Sequence, residues 1–590
     1  MSIIVQKFGG TSVADSEKIL SAARKAVAAQ QQGHQIVMVV SAMGKNTDML
    51  VELAREINSS PPAREMDMLL STGEQVSVAL MAMAIDSLGS QAVSLTGAQI
   101  GIKTDSSHTK ARILSISTDR LHGLLDAGKI VIAAGFQGID EDFNITTLGR
   151  GGSDLTAVAL AAVLSAEACE IYTDVDGVYT TDPRLLPEAR KVSQISYDEM
   201  LELASLGAGV LHSRSVEFAK RYNVPIHVRH SFSDQTGTRV AADPETSNQA
   251  VGGAALTENE ALVTVKGVPD RPGTSLAIFS EIAQEHITVD MIIQNVGADG
   301  KANISFTVLD DDLATTRGAI ERALVELGSG HIESSTDVAK ISVVGLGMAE
   351  QTGVADRMFR TLASAGINIL MITTSEIKIS VLVDREQAQE ALRTIHAAFE
   401  LDKAPTTTVL SETERRRDSD ALAVFTDLAG MEGLRVDRVL LDANQARITI
   451  SQIPDKPGIA ARVFEKVAAE GIFVDMIVQS YSSGGRADLS FTATRENLAD
   501  SVRVAKQLAE EMGCGEVTSG TEVAKLSVAG IGMRSHTGVA IRIFRVLSTA
   551  GINIEMVNTS EVRVNIVVAG TCGEEGLQCL QDAFADVLVR

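Results

Sequence analysis

The chain has 590 residues, of which 45% are hydrophobic, so it is long enough for about four domains with apolar cores. Acidic residues outnumber basic ones and give a net charge of −24, which would repel a phosphate backbone and excludes nucleic acid as an expected partner. The apolar runs are shorter than the roughly 18 residues that cross a bilayer, and the N-terminus lacks a secretory-signal pattern. We therefore expect a cytoplasmic protein with no membrane partner.

Residues 1 to about 245 alternate buried-type strands with segments of helical periodicity. Strands are predicted at 3–5, 36–40, 130–134 and 169–173, and helices at 15–29, 66–88 and 155–164. This alternation is typical of an α/β domain with a largely parallel sheet that is covered by helices on both faces. Such sheets bind their ligands at the carboxyl ends of the strands.

The first strand ends in VQKFGGTS (5–12), where Gly9 and Gly10 allow close approach of a ligand to the backbone. A helix is predicted to begin near Asp15, and Lys7 stands beside the glycines. This arrangement suits a bound phosphate, although strand-to-helix turns also contain glycine pairs for geometry alone. It is not the P-loop motif, because Lys7 precedes the glycines.

A second glycine-rich turn, TLGRGGSD (147–154), opens directly into an apolar helix. The planar guanidinium of Arg150 suits a carboxylate or a phosphate. Asp154 either caps the helix or orients Lys7 without adding positive charge to the site. Two glycine-rich strand ends in one α/β domain favour a nucleotide-dependent transferase over a passive fold.

Two further segments carry weaker signals. The turn-rich segment IYTDVDGVYTTDPR (171–184) follows a predicted strand and is compatible with a ribose, base or Mg²⁺ site, or with a plain surface loop. Its spacing does not match the EF-hand loop. Glu74 in STGEQ (71–75) is predicted at a helix start, where the helix dipole alone would explain an acid.

The C-terminal region is an internal duplication. Residues 261–295 recur at 446–480, and residues 339–383 recur at 524–568 with the same offset and no gap. The two units within a copy also correspond, since Gly273 and Phe279 match Gly353 and Phe359. Four strand–helix–strand modules of this size are too small to stand alone, so we expect them to pair side by side within and between chains.

These motifs together resemble those of the aspartokinases, a branch of the amino-acid kinase family. The catalytic resemblance rests on KFGGTS (7–12), VVSAMGKNTD (39–48), STGEQ (71–75), LGRGGSD (148–154) and YTTDPR (179–184). The repeats resemble ACT domains through VPDRPG (268–273), VDMIIQN (289–295), AGINI (365–369) and TSE (374–376). Aspartokinases usually have one ACT pair, whereas this chain has two.

The resemblance implies an amino-acid-kinase α/β domain with a parallel-rich sheet and helices on both faces, followed by four ferredoxin-like βαββαβ ACT domains. The expected boundaries are a catalytic domain at 1–245, ACT 1 at 246–335, ACT 2 at 336–405, a linker at 406–425, ACT 3 at 426–518 and ACT 4 at 519–590. The linker contains SETERRRDSD (411–420), whose acids argue against a nucleic-acid patch.

The resemblance also implies a reaction, in which MgATP phosphorylates the side-chain carboxylate of L-aspartate to give 4-phospho-L-aspartate and ADP. This is the first step towards lysine, threonine and methionine. Lys7 would stabilise the transferring phosphoryl group and Asp154 would orient Lys7. The implied aspartate-binding residues are Ser41, Thr47, Glu74, Arg150, Gly151, Gly152 and Ser153. The implied ATP-binding residues are Lys7, Gly9, Gly10, Thr173, Asp174, Tyr179 and Arg184.

Two details of the catalytic resemblance limit the assignment. No residue is assigned as a direct Mg²⁺ ligand. Many relatives carry lysine where this chain has Gly209, so no ATP contact is expected there.

The ACT modules imply feedback inhibition by lysine, threonine or both, and a homodimer or higher homo-oligomer formed through these modules. The expected effector-binding residues of the first pair are Asp270, Asp290, Gln294, Asn368, Ile369 and Ser375. Those of the second pair are Asp455, Asp475, Gln479, Asn553, Ile554 and Ser560. For any one of these residues a role in a turn or a dimer contact is favoured, whereas the recurrence of all of them at one offset favours ligand sites.

Two alternatives to an aspartate kinase remain open. One is a kinase of the same fold that acts on another acid, such as glutamate or N-acetylglutamate. The other is an inactive amino-acid sensor, against which the presence of Lys7, Arg150 and Asp154 argues.

Overall fold

A computed structural model describes residues 1–207, 209–245, 249–296, 300–349, 351, 353–405, 431–480, 485–533 and 538–589. The predicted linker at 406–425 lies outside these residues. The catalytic domain consists of β1 (Ile3–Phe8), α1 (Ser16–Gln31), β2 (Gln35–Val40), α2 (Asn46–Ile57), α3 (Ala63–Ser87), β3 (Ala92–Leu95), α4 (Gly97–Ile100), β4 (Ile102–Thr104), β5 (Ile113–Ile116), α5 (Asp119–Asp126), β6 (Ile130–Ala134), β7 (Gln137–Ile139), β8 (Ile145–Thr147), α6 (Gly152–Val163), β9 (Ala168–Thr173), β10 (Gln194–Ser196), α7 (Tyr197–Ser205), α8 (Ser213–Tyr222), β11 (Ile226–His230) and β12 (Thr238–Ala241).

The main catalytic sheet has eight strands in the order β10-β12-β11-β9-β1-β2-β6-β3. β11 and β12 run antiparallel, and the other neighbouring strands are parallel. β2 shows how both faces are covered: Val37 and Val39 pack in the core that contains α6, while Ile36, Met38 and Val40 pack against α1 and α3. The predicted parallel-rich sheet between two helical layers is confirmed.

A second, four-stranded catalytic sheet has the order β5-β4-β7-β8 and was not predicted. Its strands are three or four residues long, which is too short for a period of two to show in the sequence. This small sheet lies beside the substrate-side loop described below, since β8 ends immediately before it.

The helix α3 is long and apolar enough to cross a membrane by length and composition, with a mean hydropathy of 1.4 over its best window. Its Met81 and Ile85 are buried against the catalytic sheet, and its Asp67 and Glu74 are buried acids. The contacts of α3 are therefore those of a core helix in this fold.

The C-terminal region contains β13 (Gly253–Pro269), α9 (Thr274–Gln284), β14 (Asp290–Val296), β15 (Lys301–Leu309), α10 (Leu313–Leu327), β16 (His331–Val344), α11 (Val354–Ser364), β17 (Met371–Thr374), β18 (Lys378–Asp384), α12 (Ala388–Ala398), β19 (Arg435–Pro454), α13 (Ile459–Ala469), β20 (Val474–Ser480), β21 (Arg486–Thr494), α14 (Leu498–Met512), β22 (Val517–Ile531), α15 (Gly538–Thr549), β23 (Met556–Thr559), β24 (Arg563–Ala569) and α16 (Gly573–Ala583). Its strands form one twelve-stranded sheet, β14-β15-β13-β16-β18-β17-β20-β21-β19-β22-β24-β23.

The long strands of this sheet are shared between neighbouring units. The second half of β13 pairs with β15 in the first unit, but residues 253–257 pair with residues 340–344 of β16 and extend the second unit. In the same way, residues 435–442 of β19 pair with β22 and extend the fourth unit. The predicted boundaries at 246–335 and 426–518 therefore need correction, because each begins with a strand segment that belongs to the following unit.

The four units pack within one chain in an order that the duplication did not predict. β17 of the second unit pairs antiparallel with β20 of the third, and Phe359 lies 5.6 Å from Phe464 between ring centroids. The first unit packs against the fourth, where Phe279 lies 5.6 Å from Phe544. Each shared core thus contains one unit from each copy of the duplication.

Candidate active site

Lys7 and Asp154 form an ion pair at the carboxyl end of the central strand. The Nζ atom of Lys7, near the end of β1, lies 2.6 Å from Oδ1 of Asp154 in the first turn of α6. The side chains are 11% and 13% exposed, so the pair is largely shielded from water. Gly151 is the N-cap residue of α6 and no side chain caps this helix. Of the two roles predicted for Asp154, the structure thus shows the contact with Lys7.

The turn that follows β1 lies against the turn that follows β2. The N–H of Ser41 donates to the carbonyl of Phe8 at 3.1 Å, and the N–H of Gly44 donates to the carbonyl of Gly10 at 3.0 Å. A Cβ atom on Gly10 would lie 2.8 Å from the carbonyl oxygen of Ala42, so this approach requires glycine. The two strand ends therefore form a continuous floor beside Lys7.

Thr47 and Gly9 are two further predicted site residues near these turns. Thr47 lies in the first turn of α2, directly after the turn that contains Ser41 and Gly44. The N–H of Gly9 donates to the carbonyl of Tyr172 at 3.3 Å. In this structure the N–H of Gly9 is therefore directed to β9, and ATP binding by Gly9 stays a prediction.

Glu74 faces the same floor from α3. Its Oε1 accepts the N–H of Ala42 at 3.1 Å, and its Oε2 is buried without a hydrogen-bond partner. Burial raises the pKa of Glu74 to about 7, against the opposing effect of two backbone hydrogen bonds. Glu74 lies in the middle of α3, so its prediction at a helix start is wrong. The helix dipole therefore does not explain this acid. Glu74 is a buried carboxylate with one oxygen that has no hydrogen-bond partner.

The loop before α6 carries the other predicted aspartate-binding residues. Gly151 has φ +75°, and a Cβ atom there would lie 2.5 Å from the His212 side chain. Ser153 is buried, whereas Arg150 is exposed at the edge of a cleft of about 260 Å³ that Lys110 also lines. Because no side chain caps α6, Gly152 and Ser153 begin a helix whose N-terminus favours an anion.

Asp67 is a buried acid that the sequence analysis missed. Its carboxylate accepts hydrogen bonds from Oγ1 of Thr147 at 2.5 Å and from the N–H of Thr109 at 3.0 Å, and lies 2.7 Å from Nδ1 of His108. Asp67 thus ties α3, which carries Glu74, to the end of β8 just before the Arg150 loop. An acid inside the apolar run MDMLL (66–70) was the signal in the sequence.

Four of the predicted nucleotide-binding residues line one cavity of about 390 Å³ at the end of β9. Thr173, Asp174, Tyr179 and Arg184 all contribute to it. The hydroxyl of Tyr179 donates to Asp176 at 2.8 Å, and burial together with this acid raises the pKa of Tyr179 to about 12. The exposed guanidinium of Arg184 pairs with Asp182 at 2.6 Å. The cavity is thus polar on one side and large enough for a small ligand group.

Comparisons with known proteins agree with this arrangement. Residues 2–230 match the amino acid kinase family, and residues 341–399, 449–508 and 526–584 match an ACT domain family. Aspartokinase 2 of Bacillus subtilis is 52% identical over 406 residues, which are 69% of this chain and 99% of that protein. The aspartate kinase of Pseudomonas putida is 49% identical over 404 residues, with 68% and 98% covered. The chain belongs to the aspartokinase family.

Solved aspartokinase structures share the fold. The aspartate kinase from Synechocystis is 40% identical, with 99% of this chain and 98% of that chain covered and a TM-score of 0.52. Escherichia coli aspartokinase III in complex with aspartate and ADP is 26% identical, with 67% and 99% covered and a TM-score of 0.58. The predicted fold class and family resemblance are confirmed.

Two clusters of predicted effector residues occur in this aspartokinase, and each joins units from different copies. Between the second and third units, Nδ2 of Asn368 donates to Oδ1 of Asp455 at 2.7 Å, and Nε2 of Gln479 donates to the carbonyl of Ile369 at 3.0 Å. These four residues line one small cavity.

The second cluster joins the first and fourth units with the same contacts. Nδ2 of Asn553 donates to Oδ1 of Asp270 at 2.8 Å, and Nε2 of Gln294 donates to the carbonyl of Ile554 at 2.8 Å. The predicted grouping of the first two units and of the last two units is therefore wrong. The reason is that β17 pairs with β20 of the other copy, which exchanges the partners.

Asp290 and Asp475 are separate from these hydrogen-bonded pairs. Asp290 pairs with the buried Lys340 at 2.7 Å, and Asp475 pairs with Lys525 in the corresponding place. Each acid therefore already has a cation in this structure, and effector binding by Asp290 and Asp475 stays a prediction. Ser375 and Ser560 lie in the turns after β17 and β23, where their N–H groups donate to the carbonyls of Lys378 and Arg563.

Proposed function

We propose that this chain transfers the γ-phosphoryl group of ATP to the side-chain carboxylate of L-aspartate and releases 4-phospho-L-aspartate and ADP. The observation that carries the proposal is the shielded Lys7–Asp154 pair at the converging ends of β1, β2 and α6. Phosphoryl transfer requires positioning and charge stabilisation more than covalent chemistry by the protein. Lys7 supplies the positive charge, and Asp154 holds its ammonium group in place.

Substrate selection follows from groups on either side of this pair. The unpaired carboxylate oxygen of Glu74 suits the α-ammonium of aspartate, and Arg150 suits its α-carboxylate. Ser41, Thr47 and Ser153 supply polar groups around them. The cavity at Thr173, Asp174, Tyr179 and Arg184 takes the nucleotide. Escherichia coli aspartokinase III, solved with aspartate and ADP, supports this pair of ligands.

The proposed reaction also requires Mg²⁺, which would bind to the triphosphate of ATP. Among the residues that the structure describes, no group of three His, Cys, Asp or Glu side chains could hold a metal ion. We therefore assign no protein ligand to Mg²⁺. The ion would be carried into the site by ATP.

A kinetic comparison of three acids tests the proposed function. We expect kcat/KM for aspartate to exceed that for glutamate by about 10- to 200-fold, because glutamate has one more methylene group. N-acetylglutamate should be poorer still, since it lacks the ammonium that Glu74 would recognise. Equal or higher kcat/KM for glutamate or N-acetylglutamate would favour another kinase of this fold, and absence of turnover would favour an inactive sensor.

Replacing Glu74 with glutamine should raise KM for aspartate by at least about tenfold and leave KM for ATP nearly unchanged, because only aspartate carries an ammonium. Since the pKa of Glu74 is about 7, KM for aspartate in the native enzyme should fall between pH 6 and pH 8 as the carboxylate ionises. Initial rates at several pH values measure both effects. Persistence of the same pH dependence in Glu74→Gln would remove Glu74 from the site.

The regulatory part of the proposal is inhibition by lysine, threonine or both, in an enzyme that acts in the cytoplasm at the first step towards lysine, threonine and methionine. Escherichia coli aspartokinase III has been solved with lysine and aspartate. We also propose a homo-oligomer. The surfaces expected to join ACT units of two chains are occupied within this chain, so the oligomer would use other surfaces.

Replacing Asn368 with alanine should raise the half-inhibitory concentration of one effector by at least about fivefold and leave kcat without effector unchanged. The variant loses the contact with Asp455 in the cluster between the second and third units. Asn553→Ala tests the other cluster, and Asn444→Ala, at an exposed position of β19, is the control. Unchanged inhibition by both lysine and threonine in both test variants would contradict effector binding at these clusters.

A further inference from the structure

Arg214 on α8 connects three separate parts of the chain. Its Nη1 donates to the carbonyl of Leu148 at 2.6 Å, and its Nη2 donates to the carbonyl of Ala111 at 3.1 Å. Nη2 also lies 2.8 Å from Oε1 of Glu432, and these side chains are 21% and 9% exposed. Leu148 directly precedes the glycine-rich loop that carries Arg150. The guanidinium therefore links the aspartate-side loop to a residue outside the catalytic domain.

Glu432 belongs to a short segment that is bound to the catalytic domain. Its Oε2 accepts the N–H of Ile113 at 2.6 Å, and its own N–H donates to the carbonyl of Ile113 at 3.3 Å. On the other side, Arg221 and Tyr222 donate to the carbonyl of Met431 at 2.7 Å and 3.1 Å. These contacts hold the segment against both α8 and β5.

The same segment leads directly into the second half of the duplication. It ends two residues before β19, the strand that the third and fourth units share. Ile531 and Gly532, at the end of β22, line the cleft that Arg150 and Glu432 also line. Because Arg435 of β19 pairs with Ile531 of β22, a shift of these strands would move Glu432 relative to the Arg150 loop.

The first half of the duplication contacts the catalytic domain beside the nucleotide cavity. The N–H of Ala254 donates to the carbonyl of Thr180 at 2.7 Å, within the segment that lines the nucleotide cavity. The N–H of Leu346 donates to Glu199 on α7 at 3.2 Å. The segments that enter the two halves of the duplication therefore contact different halves of the catalytic site.

We propose that Arg214 is a positioning residue, which holds the aspartate-binding loop through its hydrogen bond to Leu148, and that the ion pair with Glu432 keeps Arg214 in place. Through this contact the second half of the duplication changes the affinity for aspartate. This proposal rests on the proposed function. An effector that changes the position of β19 would change the Glu432–Arg214 contact, and by linkage aspartate would change the affinity for that effector by the same factor. If the Arg214–Glu432 contact only stabilised the fold, its loss would change KM for aspartate and KM for ATP alike.

The test compares Glu432→Gln with the native enzyme, using aspartate, ATP, lysine and threonine as probes. Glutamine keeps the size of the Glu432 side chain but removes the negative charge that pairs with Arg214. We expect KM for aspartate to rise at least about fivefold, with kcat and KM for ATP changing by less than about twofold. The half-inhibitory concentration of at least one effector should shift as well.

Two further variants make the result specific. Arg214→Lys should raise KM for aspartate in the same way, and the double variant should resemble Arg214→Lys alone, because both changes break one link. Glu390→Gln removes a carboxylate from the exposed pair with Arg393 on α12 and should behave as the native enzyme. The proposal is overturned if KM for aspartate in Glu432→Gln stays within about twofold of the native value, or if both KM values rise together. Failure of the proposed function would instead appear as a native enzyme without aspartate-dependent turnover.

Discussion

Replacing Lys7 with alanine is expected to lower kcat by at least about 10²- to 10³-fold, with a much smaller change in KM for aspartate. The Lys7 ammonium lies 2.6 Å from Asp154 and is largely shielded from water, so its charge acts at short range on the transferring phosphoryl group. That charge is needed most in the transition state, so its removal should lower kcat more than it changes KM. Steady-state kinetics with a coupled ADP assay measure it.

A control variant separates this effect from general damage. Lys506 is an exposed lysine on α14 in the third ACT unit, far along the chain from the strand ends, and Lys506→Ala should retain native kcat. Circular dichroism should show that Lys7→Ala is folded. A folded Lys7→Ala enzyme with native kcat would contradict the catalytic role of Lys7.

Replacing Lys378 with methionine is expected to lower the free energy of unfolding by about 3–5 kcal/mol. Lys378 on β18 of the second ACT unit lies 2.7 Å from Oε2 of Glu202 on α7, and Glu202 is fully buried. The other carboxylate oxygen of Glu202 accepts the N–H of Glu561, in the fourth unit. Removing the lysine leaves a buried carboxylate without its cation, at a point where three parts of the chain meet.

The pH dependence of this variant follows from the pKa of Glu202. Burial raises that pKa above its ordinary value, and loss of Lys378 removes an interaction that opposes the rise. Protonation of Glu202 relieves the unpaired charge, so the destabilisation should be smaller at pH 5 and larger at pH 8, where the folded protein must hold the ionised form. Urea unfolding at the two pH values measures the difference.

The double variant Glu202→Gln/Lys378→Met provides the matched comparison. Removing both charges should recover much of the stability that Lys378→Met loses, because no unpaired carboxylate remains. If the single and double variants were equally unstable at both pH values, the loss would come from packing of the lysine stem and not from the ion pair.

The sequence predicted the parts of this fold that depend on local pattern. The strand at 130–134 coincides with β6, and the helix predicted at 15–29 matches α1 within two residues at its end. Contact with Lys7 was one of two roles expected for Asp154, an acid in a glycine-rich turn beside many donors. The turn with Asp154 follows β8 of the smaller sheet and still brings this acid to the end of β1. That expectation needed no knowledge of side-chain packing.

Other features depend on contacts between segments that are distant in sequence. The exchange of partners between the two copies follows from the pairing of β17 with β20, and two copies with the same motifs cannot indicate which unit packs against which. Asp67 was hidden because its partners, Thr109 and Thr147, lie on short elements without a detectable period. Glu432 stands in a segment with no repeat or motif to mark it. Its role follows from its contacts with Ile113 and Arg214.

Trapping of the product with hydroxylamine tests the central claim most directly. An acyl phosphate formed on the side chain of aspartate reacts with hydroxylamine to give aspartate β-hydroxamate. Phosphorylation of the α-carboxylate would give the α-hydroxamate instead, and phosphorylation of the ammonium group would give no hydroxamate. With MgATP and aspartate, the native enzyme should form this hydroxamate in step with ADP, whereas Lys7→Ala should form almost none. ADP release from aspartate and ATP without hydroxamate, or more hydroxamate from glutamate than from aspartate, would contradict the account.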